Sequence, residues 1–566
     1  MLTASDLHAQ SDVKKIENLL QQYTEYKQFN GSALIAKKGK VIYKGGFGYA
    51  NMEWDVQNAS DTKHRLGSIT KQFTGMLIMQ LVEQGKLDVQ KPISTYLPDY
   101  PKKSGDIITT HHLLTHTSGI PNYTSFPDFF STKSRDPKTP DEFIEIFKDL
   151  PLEFEPGEKF NYSNSAYFLL GVIIEKVSGK SYESNLHELI LEPLKMHDTG
   201  YDHHNTILKN RATGYDQNGN NFRNSNYLDM SLPYAAGSMY ASAEDLYKWD
   251  RALYGNELLS KENMETYFAP YIKAFGNLDY AYGFAVGEMK IGDSDISTEV
   301  TTHGGGINGF NTIILRDIRE EHLIVLLNNT GGKPLNEISQ KIMAILYKQP
   351  YELPKKDYTM AIAEKYTDQN KSFSVSDLQS LANTNSYQLS EDTINGFGYE
   401  LLNANQIANA ITIFEFNTQK YPESFNTFDS LGEAYMMNGE NEKAILNYEK
   451  SVKMNPDNKN GVDMLKKLGA DISQFEKEII IPENVLESYV GKYELMPNFI
   501  LTITKKESQL FIQATGQGIS EIYASSETKF YSKIVNAQIT FNINQEGIVE
   551  SLTLHQGGNH NAKKIE

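Results

Sequence analysis

The chain has 566 residues, no cysteine and a formal net charge of -18. That acidity leaves no broad basic field to hold a phosphate backbone, so no nucleic-acid partner is expected, and the missing thiols exclude thiolate zinc sites, thiol catalysis and disulfides. The length exceeds one ordinary core and predicts two or three domains.

Along the chain, Met1 to Gln10 lacks the basic start and apolar run of a secretion leader. Ala9-Gln10 nevertheless fits the trace of a trimmed one, so a periplasmic or secreted protein whose leader is absent from this chain is expected, with a cytoplasmic one left open. No apolar run approaches the roughly 20 residues that span a bilayer, so no transmembrane segment is expected. Ala33-Leu34-Ile35-Ala36 and Val41-Ile42-Tyr43 flank a tight connection at Gly39 and read as an antiparallel hairpin. From Ser68 to Gln84 the pattern is helical and apolar around most of the circumference, predicting a buried helix stopped at Gly85. A second strand pair, Asn311 to Leu315 and Leu323 to Leu327, is joined by the charged turn Arg316 to Glu321. Strands at both ends with helices between them predict one α+β domain over residues 1–348, an antiparallel sheet flanked by helices plus an all-helical part.

Pro350, Pro354 and the charged Lys355-Lys356-Asp357 mark a linker over 349–372. Residues 373–480 then show an offset of 34, pairing Gly398 with Gly432, Ala410 with Ala444 and Phe414 with Tyr448. This predicts an α-helical repeat domain that resembles tetratricopeptide hairpins, with room for a protein partner. Residues 481–566 alternate, as in Phe499, Leu501 and Ile503, and predict a small all-β domain. Its opening, Tyr489-Val490-Gly491-Lys492-Tyr493, resembles a β module often attached to hydrolases.

Three motifs carry chemistry. Gly67-Ser68-Ile69-Thr70-Lys71 puts a lysine three residues after a serine, on one helix face, close to a helix N-terminus that favours developing negative charge. Phe160-Asn161-Tyr162-Ser163-Asn164 follows a proline-glycine turn. A tyrosine beside a lysine cation there becomes a phenolate more easily, and an asparagine steadies the lysine. Thr302-His303-Gly304-Gly305-Gly306-Ile307 leads into a strand, and its glycines permit close backbone approach. Each motif alone has a plain structural reading: Ser68 as a helix cap with Lys71 snorkelling outward, the second as a loop cap, the third as a glycine-rich turn.

In this order and spacing the three together resemble the serine β-lactamase and penicillin-binding-protein superfamily, particularly its class C-like branch. His112-Leu113-Leu114-Thr115-His116-Thr117-Ser118-Gly119-Ile120 and Gly237-Ser238-Met239-Tyr240-Ala241-Ser242 agree with it. The resemblance implies a β-lactamase/transpeptidase-like fold and an acyl-enzyme on Ser68, with Lys71 and Tyr162 sharing the proton and Asn164 positioning them. In the functional reading of the third motif the Gly306 amide joins the Ser68 amide as an oxyanion hole, Gly305 supports the substrate and His303 lies along it. No cofactor or metal is expected, and His112 and His116 are assigned to the scaffold.

Penicillin-recognising members usually carry lysine and a hydroxyl residue where this chain has His303 and Gly304. That departure favours a small-molecule or peptide substrate cleaved at an ester or amide bond, as by a carboxylesterase or D-amino-acid peptidase. The alternatives are a β-lactamase or DD-peptidase, and a non-catalytic scaffold acting through the helical repeats.

Overall fold

The computed structural model describes residues 4–566 apart from 219–220, 293, 368–370, 385, 476–480, 498, 533–536, 545 and 557. Residues 1–3 of the trimmed-leader reading, and 476–480 at the expected end of the repeats, lie outside the described residues. The chain forms two compact units, Met1–Asn417 and Thr418–Glu566.

The first unit is organised by an eight-stranded antiparallel sheet. Its order is Ile272–Phe275, Leu278–Tyr280, Ala285–Lys290, Ser297–Ile307, Phe310–Asp317, His322–Asn328, Gly31–Lys37 and Lys40–Phe47. The expected first hairpin forms, with left-handed Lys38 (φ 51°) and Gly39 (φ 73°) in a two-residue turn whose twist matches the flanking strands. Strand alternation divides the residues between two cores. Leu34, Ala36, Ile314, Val325 and Leu327 face the core that holds the helix Thr70–Glu83. Ala33, Ile35, Ile313, Ile324 and Leu326 face a second core completed by the helices Ala4–Glu25 and Leu335–Leu346.

Thr70–Glu83 is buried from Thr70 through Leu81, as its apolar circumference requires. Beside it runs Asn164–Ser178, capped at its start by Ser163 and ended by left-handed Gly179. These two helices and the strand Ser297–Ile307 bracket the functional site.

The stretch 349–372, read from its prolines as a linker, carries packed structure. Tyr358 is buried in the helix Tyr358–Ile362, stacks on Phe416 at 5.3 Å and donates its hydroxyl hydrogen to the Leu378 carbonyl. Buried apolar side chains downstream override the local breakers. The division between units falls at Asn417/Thr418, inside the helix Ile407–Lys420. The 34-residue offset recurs as geometry within each unit. A Cβ on Gly398 would sit 2.5 Å from the Phe414 ring, and one on Gly432 would sit 3.1 Å from the Tyr448 ring. Matched glycines thus let matched aromatic rings approach in two successive helical hairpins.

In the second unit the last strands close an eight-stranded barrel from Gly491–Met496 to Asn559–Lys564. Closure is sealed by Lys492 donating its amide to the Glu566 carbonyl at 2.9 Å, and Tyr489 stacks on Phe541 at 4.1 Å inside. Among the described residues no helix is long and apolar enough to cross a membrane.

Candidate active site

Ser68 lies in a 3-10 turn, Gly67–Ile69, that runs directly into Thr70–Glu83. Neither helix start receives a side-chain capping bond, so the serine hydroxyl is not employed as a cap. Gly67 is left-handed (φ 55°), and a Cβ there would meet the Gly306 nitrogen at 2.9 Å. The neighbouring strand is pressed equally close: a Cβ on Gly305 would lie 1.9 Å from the Leu66 carbonyl oxygen. Thr312, the register partner of Gly305, donates its hydroxyl to that same carbonyl at 2.7 Å. The glycine run is therefore demanded by backbone contact between the strand Ser297–Ile307 and the serine turn.

Lys71 is 0% exposed and does not snorkel. Its amine lies 3.1 Å from Ser68 Oγ, 2.8 Å from Asn164 Oδ1 and 2.8 Å from the Ala236 carbonyl oxygen. Burial drives the lysine pKa well below its ordinary value. The two partners other than Ser68 can only accept. A neutral amine spends its two hydrogens on them, and its lone pair is left facing the serine O–H.

The Asn164 amide is held in this orientation because its Nδ2 donates to Asn122 Oδ1 at 3.3 Å and to Thr124 Oγ1 at 3.2 Å. Ser163 caps the helix that begins at Asn164. The capping and positioning readings of the Tyr-Ser-Asn motif thus hold together.

Burial pushes the Tyr162 hydroxyl pKa up by more than the neighbouring Ser68 hydroxyl lowers it. The phenolate expected at sequence level is therefore disfavoured. The lysine reaches the ring face instead, with Nζ 4.9 Å from the Tyr162 centroid. His116 packs on the other ring neighbours, 4.2 Å from the Tyr162 centroid, and its Nδ1 accepts the Ser163 amide hydrogen at 3.1 Å. His112 accepts from the Thr109 amide through Nδ1 at 3.2 Å, so both histidines serve the scaffold.

His303 departs from expectation. It is 7% exposed and does not line the cleft. Its Nδ1 must donate to the Gly304 carbonyl at 2.6 Å, and burial pulls its pKa down to about 4, leaving Nε2 as an acceptor. Tyr280 fills that need at 3.0 Å and receives the His116 Nε2 hydrogen at 3.2 Å. The chain His116–Tyr280–His303 is thus satisfied with both imidazoles neutral. His303 is thereby held neutral and offers no positive charge to a substrate.

A cleft of about 540 Å³ opens over Ser68, Asn164, Gly305 and Gly306, with Tyr123, Phe129, Phe130 and Phe310 among its walls. Among the described residues, no lysine, arginine or histidine lines it, and Asp216 is the single charged one. The structure thus brings Ser68, Lys71, Tyr162, Asn164, Gly305 and Gly306 together and sets His303 behind them. Sequence reasoning missed Tyr280, Asn122 and the Ala236 carbonyl. Asn122 stands just past the 112–120 signature and Ala236 just before the 237–242 segment, whereas nothing local marks Tyr280.

Comparison with known proteins gives an independent result. Residues 16–346 match the family described as Beta-lactamase, and residues 476–564 match a domain of unknown function, DUF3471. The chain is 31% identical over 330 residues to teichoic acid D-alanine hydrolase of Staphylococcus aureus, covering 58% of this chain and 76% of that protein. A D-amino acid amidase structure from Ochrobactrum anthropi SV3 aligns at 27% identity with a TM-score of 0.52, over 60% of this chain and 99% of its own. A penicillin binding protein structure from Bacillus halodurans aligns at 27% identity with a TM-score of 0.51, over 59% of this chain and 99% of its own.

Proposed function

The chain belongs to the β-lactamase family as a serine hydrolase of ester or amide bonds, and on that premise we propose that it acts through an acyl-enzyme on Ser68 with Lys71 as the resting base. One observation carries this reading: a fully buried amine 3.1 Å from Ser68 Oγ whose other two partners are acceptors only. Neutral Lys71 takes the hydroxyl proton as Oγ attacks the carbonyl carbon. The Ser68 and Gly306 amides face the developing oxyanion. On collapse the carbonyl re-forms, and the leaving oxygen or nitrogen departs with a proton returned from Lys71 through the Tyr162 hydroxyl. Water then adds to the acyl-enzyme, its proton passes to the same pair, and Ser68 is released with the acid product.

The favoured substrates are those of a carboxylesterase or D-amino-acid peptidase rather than β-lactams. A neutral His303 and a cleft without cationic lining leave no receptor for the carboxylate of a penicillin or a D-alanyl peptide. The teichoic acid relative supports a periplasmic or secreted setting. We further propose a division into a hydrolase over 1–348, a connection over 349–372, tetratricopeptide-like hairpins within 373–480 and a β module over 481–566.

The test is intact-mass spectrometry of the wild type and Ser68→Ala after fluorophosphonate or penicillin treatment, with p-nitrophenyl ester turnover in parallel. Labelling and turnover that vanish in Ser68→Ala, with little penicillin adduct, are expected. Rapid penicillin hydrolysis would overturn the substrate preference. An unlabelled, inactive wild type would shift attention to the helical hairpins as a protein-binding scaffold.

A further inference from the structure

The cleft's charge is unbalanced. Its walls carry aromatic and aliphatic side chains, backbone and amides, and its single ionised side chain among the described residues is Asp216. This carboxylate accepts no hydrogen bond among the described residues. Its one ion pair, to Arg223 at 3.9 Å, is at the limit of contact with a guanidinium whose side chain is 64% exposed. Water screens such a pair, so it is worth little.

The backbone that presents Asp216 is nonetheless well anchored. Tyr215 donates its amide to the Asn329 carbonyl at 3.1 Å and accepts from the Gly331 amide at 3.0 Å. Its side chain points the other way, donating its hydroxyl hydrogen to exposed Glu53 at 2.6 Å. Strand alternation over Tyr215–Asn218 therefore turns Asp216 toward the cleft. A Cβ on Gly331 would come 3.4 Å from Asp216 Oδ1, which places that oxygen beside Gly331, itself a cleft-lining residue.

We propose that Asp216 is a specificity-determining residue that binds an ammonium group on the substrate, so that the enzyme's substrates are cationic esters or amides. The proposal rests on the acyl-enzyme reading above and deepens it. A carboxylate in a cleft that partly excludes water attracts a cation more strongly than one in bulk water, and among the described residues no positive side chain lines the cleft to compete for it. The same field repels carboxylates, which adds to the absence of a cationic receptor in disfavouring β-lactams. The ammonium sits either on the acyl half, as in an aminoacyl ester or amide, or on the leaving group, as in an amino-alcohol ester.

Two matched pairs separate these sources. Alanine p-nitroanilide is compared with its N-acetyl derivative, in both enantiomers, and acetylthiocholine with its neutral 3,3-dimethylbutyl thioester counterpart. In wild type the cationic member of at least one pair is expected to show a kcat/KM about tenfold higher, carried by KM and weakened by salt. The pair that shows it locates the ammonium. Asp216→Asn, which preserves shape, should bring the ratio close to one, and Asp216→Lys should invert it. Asp216→Glu should retain part of the preference, a rescue that a merely structural role would not produce.

Equal turnover of cationic and neutral members by wild type, or a ratio unmoved in Asp216→Asn, overturns the proposal while leaving the acyl-enzyme intact. Failure of fluorophosphonate to label Ser68 in wild type, with none of the four compounds hydrolysed, overturns the underlying reading and the proposal with it.

Discussion

Three consecutive glycines make the tightest test of how this site is built. A Cβ at Gly305 would stand 1.9 Å from the Leu66 carbonyl oxygen and 2.5 Å from Thr312 Oγ1, whereas at Gly304 the nearest atom, the Thr312 carbonyl oxygen, is 3.6 Å away. Ordinary contact begins at about 3.5 Å, so Gly305→Ala forces strand and serine turn apart by more than ~1 Å. A displacement of about 1 Å at a reacting centre costs on the order of 100-fold in rate, and overpacking costs about 1–3 kcal/mol in stability. Gly304→Ala meets only van der Waals contact and is expected to fold and acylate like wild type. The assay is the second-order rate of fluorophosphonate addition to Ser68 by intact mass, alongside thermal denaturation. Gly305→Ala should acylate about 100-fold more slowly and melt earlier. Acylation of Gly305→Ala within threefold of wild type, or an equal loss in Gly304→Ala, would refute the claim that strand contact places the nucleophile.

Other expectations follow from the buried polar groups. His64 and His303 are each pulled from 6.5 to about 4 by burial. Between these values the unfolded chain binds protons that the fold refuses, so stability falls as pH falls, by about 1.4 kcal/mol per pH unit for each group. Urea midpoints between pH 6.5 and 5, above the carboxylate range, should show this slope, and His303→Gln should shrink it. Because burial lowers the Lys71 pKa, the rising limb of kcat/KM against pH should lie well below 10.5; a limb at the ordinary lysine value would contradict a resting neutral amine. Tyr280→Phe removes the link between His116 and His303 and strands two buried ring nitrogens, at an expected cost of about 1–3 kcal/mol in denaturant titration. Asn122→Ala frees the Asn164 amide and should lower kcat about tenfold with KM little changed, as loss of orientation rather than of binding.

Much of this molecule is written in local pattern. The hairpin around Gly39, the largely apolar run from Ile69 to Val82 and the alternation after Phe499 are periodicities that backbone geometry converts directly into strands and a buried helix. The 34-residue offset likewise pairs Gly398 with Gly432 and Phe414 with Tyr448, and in the structure each glycine lies against its own hairpin's aromatic ring. Ser68, Lys71, Tyr162 and Asn164 were legible because each belongs to a short motif with its own reason to exist.

Protonation state and direction were not legible, since they depend on what lies across the fold. Whether Lys71 is a base turns on the Ala236 carbonyl, 165 residues away, and on its complete burial. His303 was expected to lie along the substrate, yet Tyr280, from another strand, and the Gly304 carbonyl occupy both of its nitrogens and hold it neutral. Likewise, 349–372 reads as a linker until Phe416 supplies a surface for Tyr358. Sequence alone determined which reactive groups this protein possesses and the elements that carry them, because those follow from residue type and spacing. Tertiary structure alone decided their charge, partners and orientation, because desolvation and hydrogen bonding are set by atoms remote in the chain.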